Sequence, residues 1–193
     1  MLAWRIETIG SPACLREQPL AEPGPGEARI QIAACGLNFA DLLMAAGKYQ
    51  ERPALPFTPG LEFAGTVDAL GPGTIGPAIG TRVATFAGSG GLAQAACVPA
   101  NRLLVIPDQM SFSDAAAFQI AYGTAHLALE HKARLTSGET LLVTGAAGGV
   151  GLTAVEIGKR MGARVIASAR GAEKLAAARA AVCSLSSLPR VMQ

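Results

Sequence analysis

The sequence predicts an α/β chain in two parts, a small β-barrel or sandwich followed by a partial doubly wound parallel sheet. Three observations predict this. Up to about Pro107, short alternating runs recur between proline and glycine turns. From Met110 onward, alanine- and leucine-rich helical segments alternate with short apolar runs, the pattern of a βαβ unit. Within that second part lies TGAAGGVG, residues 144–151, with an apolar run before it and a helical segment after it.

The elements follow in order. Residues 2–9 alternate like a strand. EPGPGE makes a turn before a second alternating run at 28–34, and a short helix is expected over 39–46. A strand is expected between Pro59 and Gly71, and AIGTRVATFAG and LAQAACVPANRLLVIP add shorter ones. In SFSD, Ser111 caps a helix and Asp114 completes a capping box. That helix runs through AAAFQIAYGTAHLALEHK, with an interruption expected at Gly123. A strand over Thr140–Thr144, a helix over 149–161, a strand over 163–167 and a helix over 172–181 complete the series. Val150, Ala154, Ile157 and Met161 are expected on one face of the first of these helices. The expected division is 1–108, 109–182 and a tail at 183–193.

Composition narrows the function classes. The chain has 193 residues, half of them hydrophobic and 16% charged, so it can bury a core. A net charge of +2, with no basic block and no interleaved aromatics, gives no footprint for nucleic acid or for a membrane surface. Cys14, Cys35, Cys97 and Cys183 lack metal-ligand spacing and read as free thiols. No secretory leader or membrane-length apolar run is present, so a cytoplasmic location is expected.

TGAAGGVG carries the chemistry. A buried strand that must turn at once into a helix aims free backbone N–H groups at whatever lies beyond its end. Gly145 permits the turn, Gly148 and Gly149 let backbone approach a pyrophosphate, and Gly151 lets the helix pack closely. Ala147 and Val150 lie on the same loop. The spacing is GxxGxxG rather than GxGxxG, and its flanks give it weight. After the second strand an NAD site needs a carboxylate for the ribose 2′-hydroxyl. This chain offers Ser168, Arg170 and Lys174, with no carboxylate before Glu173. A hydroxyl and two cations match the 2′-phosphate of NADPH.

EPGPGEARIQIAACGLNFAD, GKYQERPALPFTPGLEFAGTV, IGTRV and SGETLLVTGAAGGVG together resemble the quinone oxidoreductase (zeta-crystallin) branch of the medium-chain dehydrogenase/reductases, over residues 1 to about 180. The resemblance implies a GroES-like β-barrel domain followed by a Rossmann domain. It also implies NADPH-dependent hydride transfer to a quinone, enone or enoyl thioester. Where zinc-dependent members carry a cysteine and a histidine ligand, this chain has Asn38 and Leu61, so a reaction without zinc and no catalytic metal ligand are implied. His126 and His131 read as surface or packing residues. Asn38 and Tyr49 would lie near the nicotinamide as catalytic candidates, Thr124 would contact its end, and Asp41 would fix the Asn38 turn. Full-length relatives are expected to be homodimers.

After EKLAAARA the chain reads AVCSLSSLPRVMQ, without the turn and third strand of the family. The expectation is a C-terminally truncated domain, with weak NADPH affinity and little turnover by the chain alone. The alternatives are a non-catalytic nucleotide-binding or inert remnant and, with least support in the sequence, an RNA-binding role.

Overall fold

The computed structural model describes residues 1–183. Apart from Cys183, the expected tail lies outside the described residues. The chain divides into two compact units, Met1–Gln119 and Ile120 onward.

In the first unit, β1 (Leu2–Arg5) and β2 (Cys14–Glu17) form an antiparallel ribbon. The expected strand over 2–9 stops early because the chain turns: Ser11 N–H bonds the Thr8 carbonyl at 3.1 Å. Next come β3 (Glu27–Gly36), helix α1 (Phe39–Ala45), β4 (Glu62–Leu70), β5 (Arg82–Phe86), β6 (Ala95–Pro99) and β7 (Leu104–Val105). The five strands pair in the order β6-β3-β4-β5-β7, antiparallel throughout. The ladders do not close into a full barrel. β6 and β7 stand at the two ends, and the β1–β2 ribbon joins through single bridges, Ala3 to Ala93 and Ile6 to Phe57.

β4 is central and buried on both faces, which is why LEFAGTV reads as a nearly continuous apolar run. Phe63 and Val67 join Ile30, Val83, Val98 and Leu103 in one cluster, while Ala64 joins Ala84 and Ile106 in another. The short helix α2 (Phe112–Ala116) packs Ala115 and Ala116 into that second cluster. Composition groups α2 with the second part of the chain, across the expected boundary at 108/109. Burial on the sheet instead keeps it in the first unit. Arg82 fastens it there: its guanidinium bonds the carbonyls of Pro107, Asp108 and Met110 at 3.1, 2.7 and 2.6 Å and lies 4.4 Å over the Phe112 ring.

The Ser111 cap forms as expected, accepting from Asp114 N–H at 3.0 Å. The interruption expected at Gly123 is corrected. The helix breaks after Ala116, where Ala117 N–H turns back to the Asp114 carbonyl at 3.2 Å, and Gly123 lies inside α3 (Gln119–His126). The break falls where the sheet contact of Ala115 and Ala116 ends.

The second unit continues through a π-helical turn, Leu127–Lys132, then β8 (Thr140–Thr144), α4 (Gly149–Arg160), β9 (Arg164–Ser168) and α5 (Ala172–Cys183). β8 and β9 pair in parallel, with Thr144 beside Ser168 at their carboxyl ends. Val143, Ala146, Val155 and Ala178 form the core, with Leu141 and Val165 against it. The expected face of α4 is corrected too: the buried residues are Thr153, Val155 and Gly158, while Val150 is exposed. Small residues win that face because the helix comes down almost onto the strands. A Cβ on Gly158 would meet the Leu141 side chain, and one on Gly151 would meet the Gly145 carbonyl. Thr153 is satisfied there, its hydroxyl donating to the Ala121 carbonyl at 2.9 Å.

Gly151→Ala therefore forces α4 away from the loop and should cost about 1–3 kcal/mol, the usual scale for overpacking. Urea unfolding of the variant reads this as a lower midpoint; an unchanged midpoint would refute the close approach.

Candidate functional site

The second unit gathers most of the predicted nucleotide residues in one place. Parallel pairing puts the ends of β8 and β9 side by side, so the loop after each opens on the same edge. Ala146 N–H ties the two ends together by bonding the Ser168 carbonyl at 3.0 Å. Gly145 takes φ +65°, a left-handed conformation open to glycine at little cost, and this starts the turn. Gly148 N–H closes it on the Gly145 carbonyl at 3.0 Å.

Helical bonding in α4 begins with Leu152 N–H, which reaches the Gly148 carbonyl at 2.8 Å. The N–H groups of Gly149, Val150 and Gly151 belong to the first turn, which has no carbonyl one turn back. Gly148 caps the helix without a side chain, and among the described residues no atom stands where a Cβ on Gly149 would point. The helix dipole adds partial positive charge at this end. The arrangement is a backbone cradle for an anion.

A cleft of about 900 Å³ opens beside it, lined by Gly145, Ala147, Gly148, Ser168, Arg170 and Lys174 among others. Gly149, Val150 and Gly151 do not line it; they form the helix start. Thr124 lies on α3, exposed, and does not line it either. The site thus holds a backbone cradle at one side and a hydroxyl with two cations at the other. Tyr122 on α3 donates to Glu156 on α4 at 2.6 Å. That bond to a carboxylate, then burial, pushes the Tyr122 phenol up to about 12.

The first unit holds Asn38 and Tyr49. Asn38 precedes α1, and Asp41 fixes that turn as expected. One Asp41 oxygen accepts Asn38 N–H at 2.9 Å, and the other accepts Gly60 N–H at 2.8 Å. Asp41 is only 7% exposed, so its charge is held by backbone donors rather than water. The Asn38 amide donates to the buried Glu62 carboxylate at 2.9 Å. Sequence reasoning missed Glu62; the signal was a charged residue inside the apolar run LEFAGTV. A groove of about 770 Å³, mostly apolar, is lined by Asn38 together with Leu37, Phe39, Leu42, Ile6 and Pro59 among others. Tyr49 is half-buried after α1 and does not line this groove.

Cys35 lies next to these carboxylates. Burial first, then the charges of Asp41 and Glu62, push its thiol from 9.0 up to about 12. The folded state holds that proton more tightly than the unfolded chain. The resulting stability is full below pH 9 and is lost as pH rises toward about 12. Thiol labelling at about pH 8 should modify Cys14 well before Cys35, since the thiolate is the reactive form; equal rates would contradict the assigned burial. Asp41→Ala removes a charged acceptor from two backbone donors and should cost about 2–4 kcal/mol by urea unfolding.

With this geometry in hand, comparison with known proteins is specific. Residues 24–108 match the alcohol dehydrogenase GroES-like domain family. The chain is 42% identical over 165 residues to a quinone oxidoreductase-like protein 2 homolog of Nematostella vectensis, covering 84% of this chain and 45% of that protein. Its structure is similar to the quinone oxidoreductase of Thermus thermophilus, also solved in complex with NADPH. There the TM-score is 0.84 and the identity 40%, over 93% of this chain and 57% of that one. It is also similar to the human synaptic vesicle membrane protein VAT-1 homolog-like protein, with TM-score 0.87 and 35% identity, over 94% of this chain and 60% of that one. The chain spans about half the length of the curated relatives it matches. Among the described residues no helix is long and apolar enough to cross a membrane. The chain thus carries an alcohol dehydrogenase GroES-like domain over residues 24–108 and is similar over most of its length to quinone oxidoreductases of the medium-chain dehydrogenase/reductase superfamily.

Proposed function

We propose that the chain binds NADPH in the cleft between the Gly145–Gly151 loop and the Ser168–Lys174 segment. We further propose that it serves reduction of a quinone or other α,β-unsaturated carbonyl acceptor without zinc. The observation that carries this reading is one cleft, beside the backbone anion cradle, lined by Gly145, Ala147 and Gly148 together with Ser168, Arg170 and Lys174. A pyrophosphate suits the cradle, where oriented N–H groups replace its water. A 2′-phosphate suits the hydroxyl and the two cations, and among the described residues no carboxylate lines the cleft to prefer a free 2′-hydroxyl.

Bound NADPH supplies a hydride to an electron-poor carbon of the acceptor. The chain's own groups bind, orient and exclude water. Asn38 has one amide hydrogen committed to Glu62, and its side-chain oxygen faces the Asp41 N–H in the capping box, so its other amide hydrogen is the group offered to a ligand. The apolar wall around Asn38 suits a flat, weakly polar acceptor. Tyr49 does not line this groove, so no proton step is assigned to it, and Thr124 would contact the nicotinamide end. Zinc has little to hold here: Leu61 offers no donor, and the Asn38 amide is engaged by Glu62.

A second reading, nucleotide binding without turnover, is favoured by one observation. The described parallel sheet has two strands, and Leu142 and Ile166 on one face of it are exposed at 61% and 45%. A small sheet of this kind is marginal on its own.

Nucleotide titration tests the proposal. Arg170→Ala should weaken NADPH binding about tenfold or more while leaving NADH within about twofold, since only NADPH carries the 2′-phosphate. Equal losses for both nucleotides would overturn the assigned 2′-phosphate site. NADPH-dependent reduction of an enone or quinone panel separates the two readings.

A further inference from the structure

We propose that His126, Glu130 and His131 form a binding site for a divalent transition metal ion of the zinc class, unconnected with hydride transfer. All three side chains are exposed, and one ligand atom from each lies within 4.8 Å of the others. His126 Nε2 stands 2.7 Å from a Glu130 carboxylate oxygen. The two imidazoles are stacked, with centroids 5.8 Å apart and planes 29° apart.

The winding of the backbone is what brings them together. In an α-helix, residues five apart point about 140° away from each other, so His126 and His131 would diverge. Here Leu127–Lys132 is a π-helical turn, with Ala133 N–H bonded to the Ala128 carbonyl five residues back at 2.8 Å. The wider winding returns residue i+5 to the face of residue i, and Glu130 at i+4 shares that face. Leu129 is buried and anchors the opposite side of the turn. Such turns are rare and recur at functional sites.

The chemistry fits one class of ion. Two imidazoles and a carboxylate suit zinc, nickel or copper and do not suit magnesium or calcium, which prefer oxygen. Tetrahedral zinc with bonds of about 2.0–2.1 Å holds its ligands about 3.3 Å apart. The present spacings, from 2.7 Å to within 4.8 Å, bracket that value, and exposed side chains adjust to it by small rotations. Three protein ligands leave a fourth position for water or an incoming ligand. The ion would cross-link both ends of the π-helical turn.

The test exploits composition, because the chain has two histidines in all. Proton NMR of the full chain during zinc titration should shift the ring protons of both, saturating near one equivalent, and magnesium should shift neither. Calorimetric zinc affinity should fall at least about tenfold in H126A/H131A and in the milder Glu130→Gln. Far-UV circular dichroism checks the fold of these surface variants. Histidine signals that stay fixed while zinc binds would place the ion on the thiols and overturn the proposal. Unchanged affinity in the double variant, or no zinc binding by the wild-type chain, would also overturn it.

Discussion

No side chain fits between the first turn of α4 and the carbonyl of Gly145, and the second unit is built around that constraint. Close approach at Gly151 draws the helix onto the strand end. A matching approach at Gly158 keeps it down along Leu141 and Val165. With the helix so seated, its free N–H groups face outward beyond the sheet, where the parallel register also delivers Ser168. The cleft follows from these backbone facts. The charged residues only decide which anion it prefers.

The first unit solves a different problem, that of keeping carboxylates inside a β-sheet domain. Asp41 and Glu62 are both nearly inaccessible. A buried charge is tolerable only with partners, and Asp41 takes two backbone N–H groups while Glu62 takes the Asn38 amide. Asn38 is thereby fixed from both directions, its backbone by Asp41 and its side chain by Glu62. The consequence falls on Cys35, whose thiol is pushed up to about 12 by burial and by these same charges.

Local constraints are legible in the sequence and distant ones are not. The glycine loop, the Ser111 cap and the Asp41 turn each join residues a few positions apart, so their residue types announce them. The Asn38–Glu62 bond spans 24 positions and has no such signal. The buried face of α4 escapes hydrophobic periodicity, which weights Val150 and Ile157, whereas the contact is made by glycines that permit approach. Gly123 looks like a helix breaker, yet the break comes from the packing of α2 on the sheet. The histidines at 126 and 131 look unrelated because five-residue spacing separates side chains in an α-helix, and only π winding rejoins them.

The central claim is that one cleft reads both ends of the adenosine half of NADPH. Amide chemical-shift mapping with 2′,5′-ADP against 5′-AMP tests it most directly, because neither ligand needs a nicotinamide site. The account predicts that both ligands shift amides in the Gly145–Gly151 loop. It predicts that 2′,5′-ADP alone shifts Ser168 to Lys174 strongly and binds about tenfold tighter or more. Equal affinity for the two ligands, or shifts confined to other parts of the chain, would contradict it.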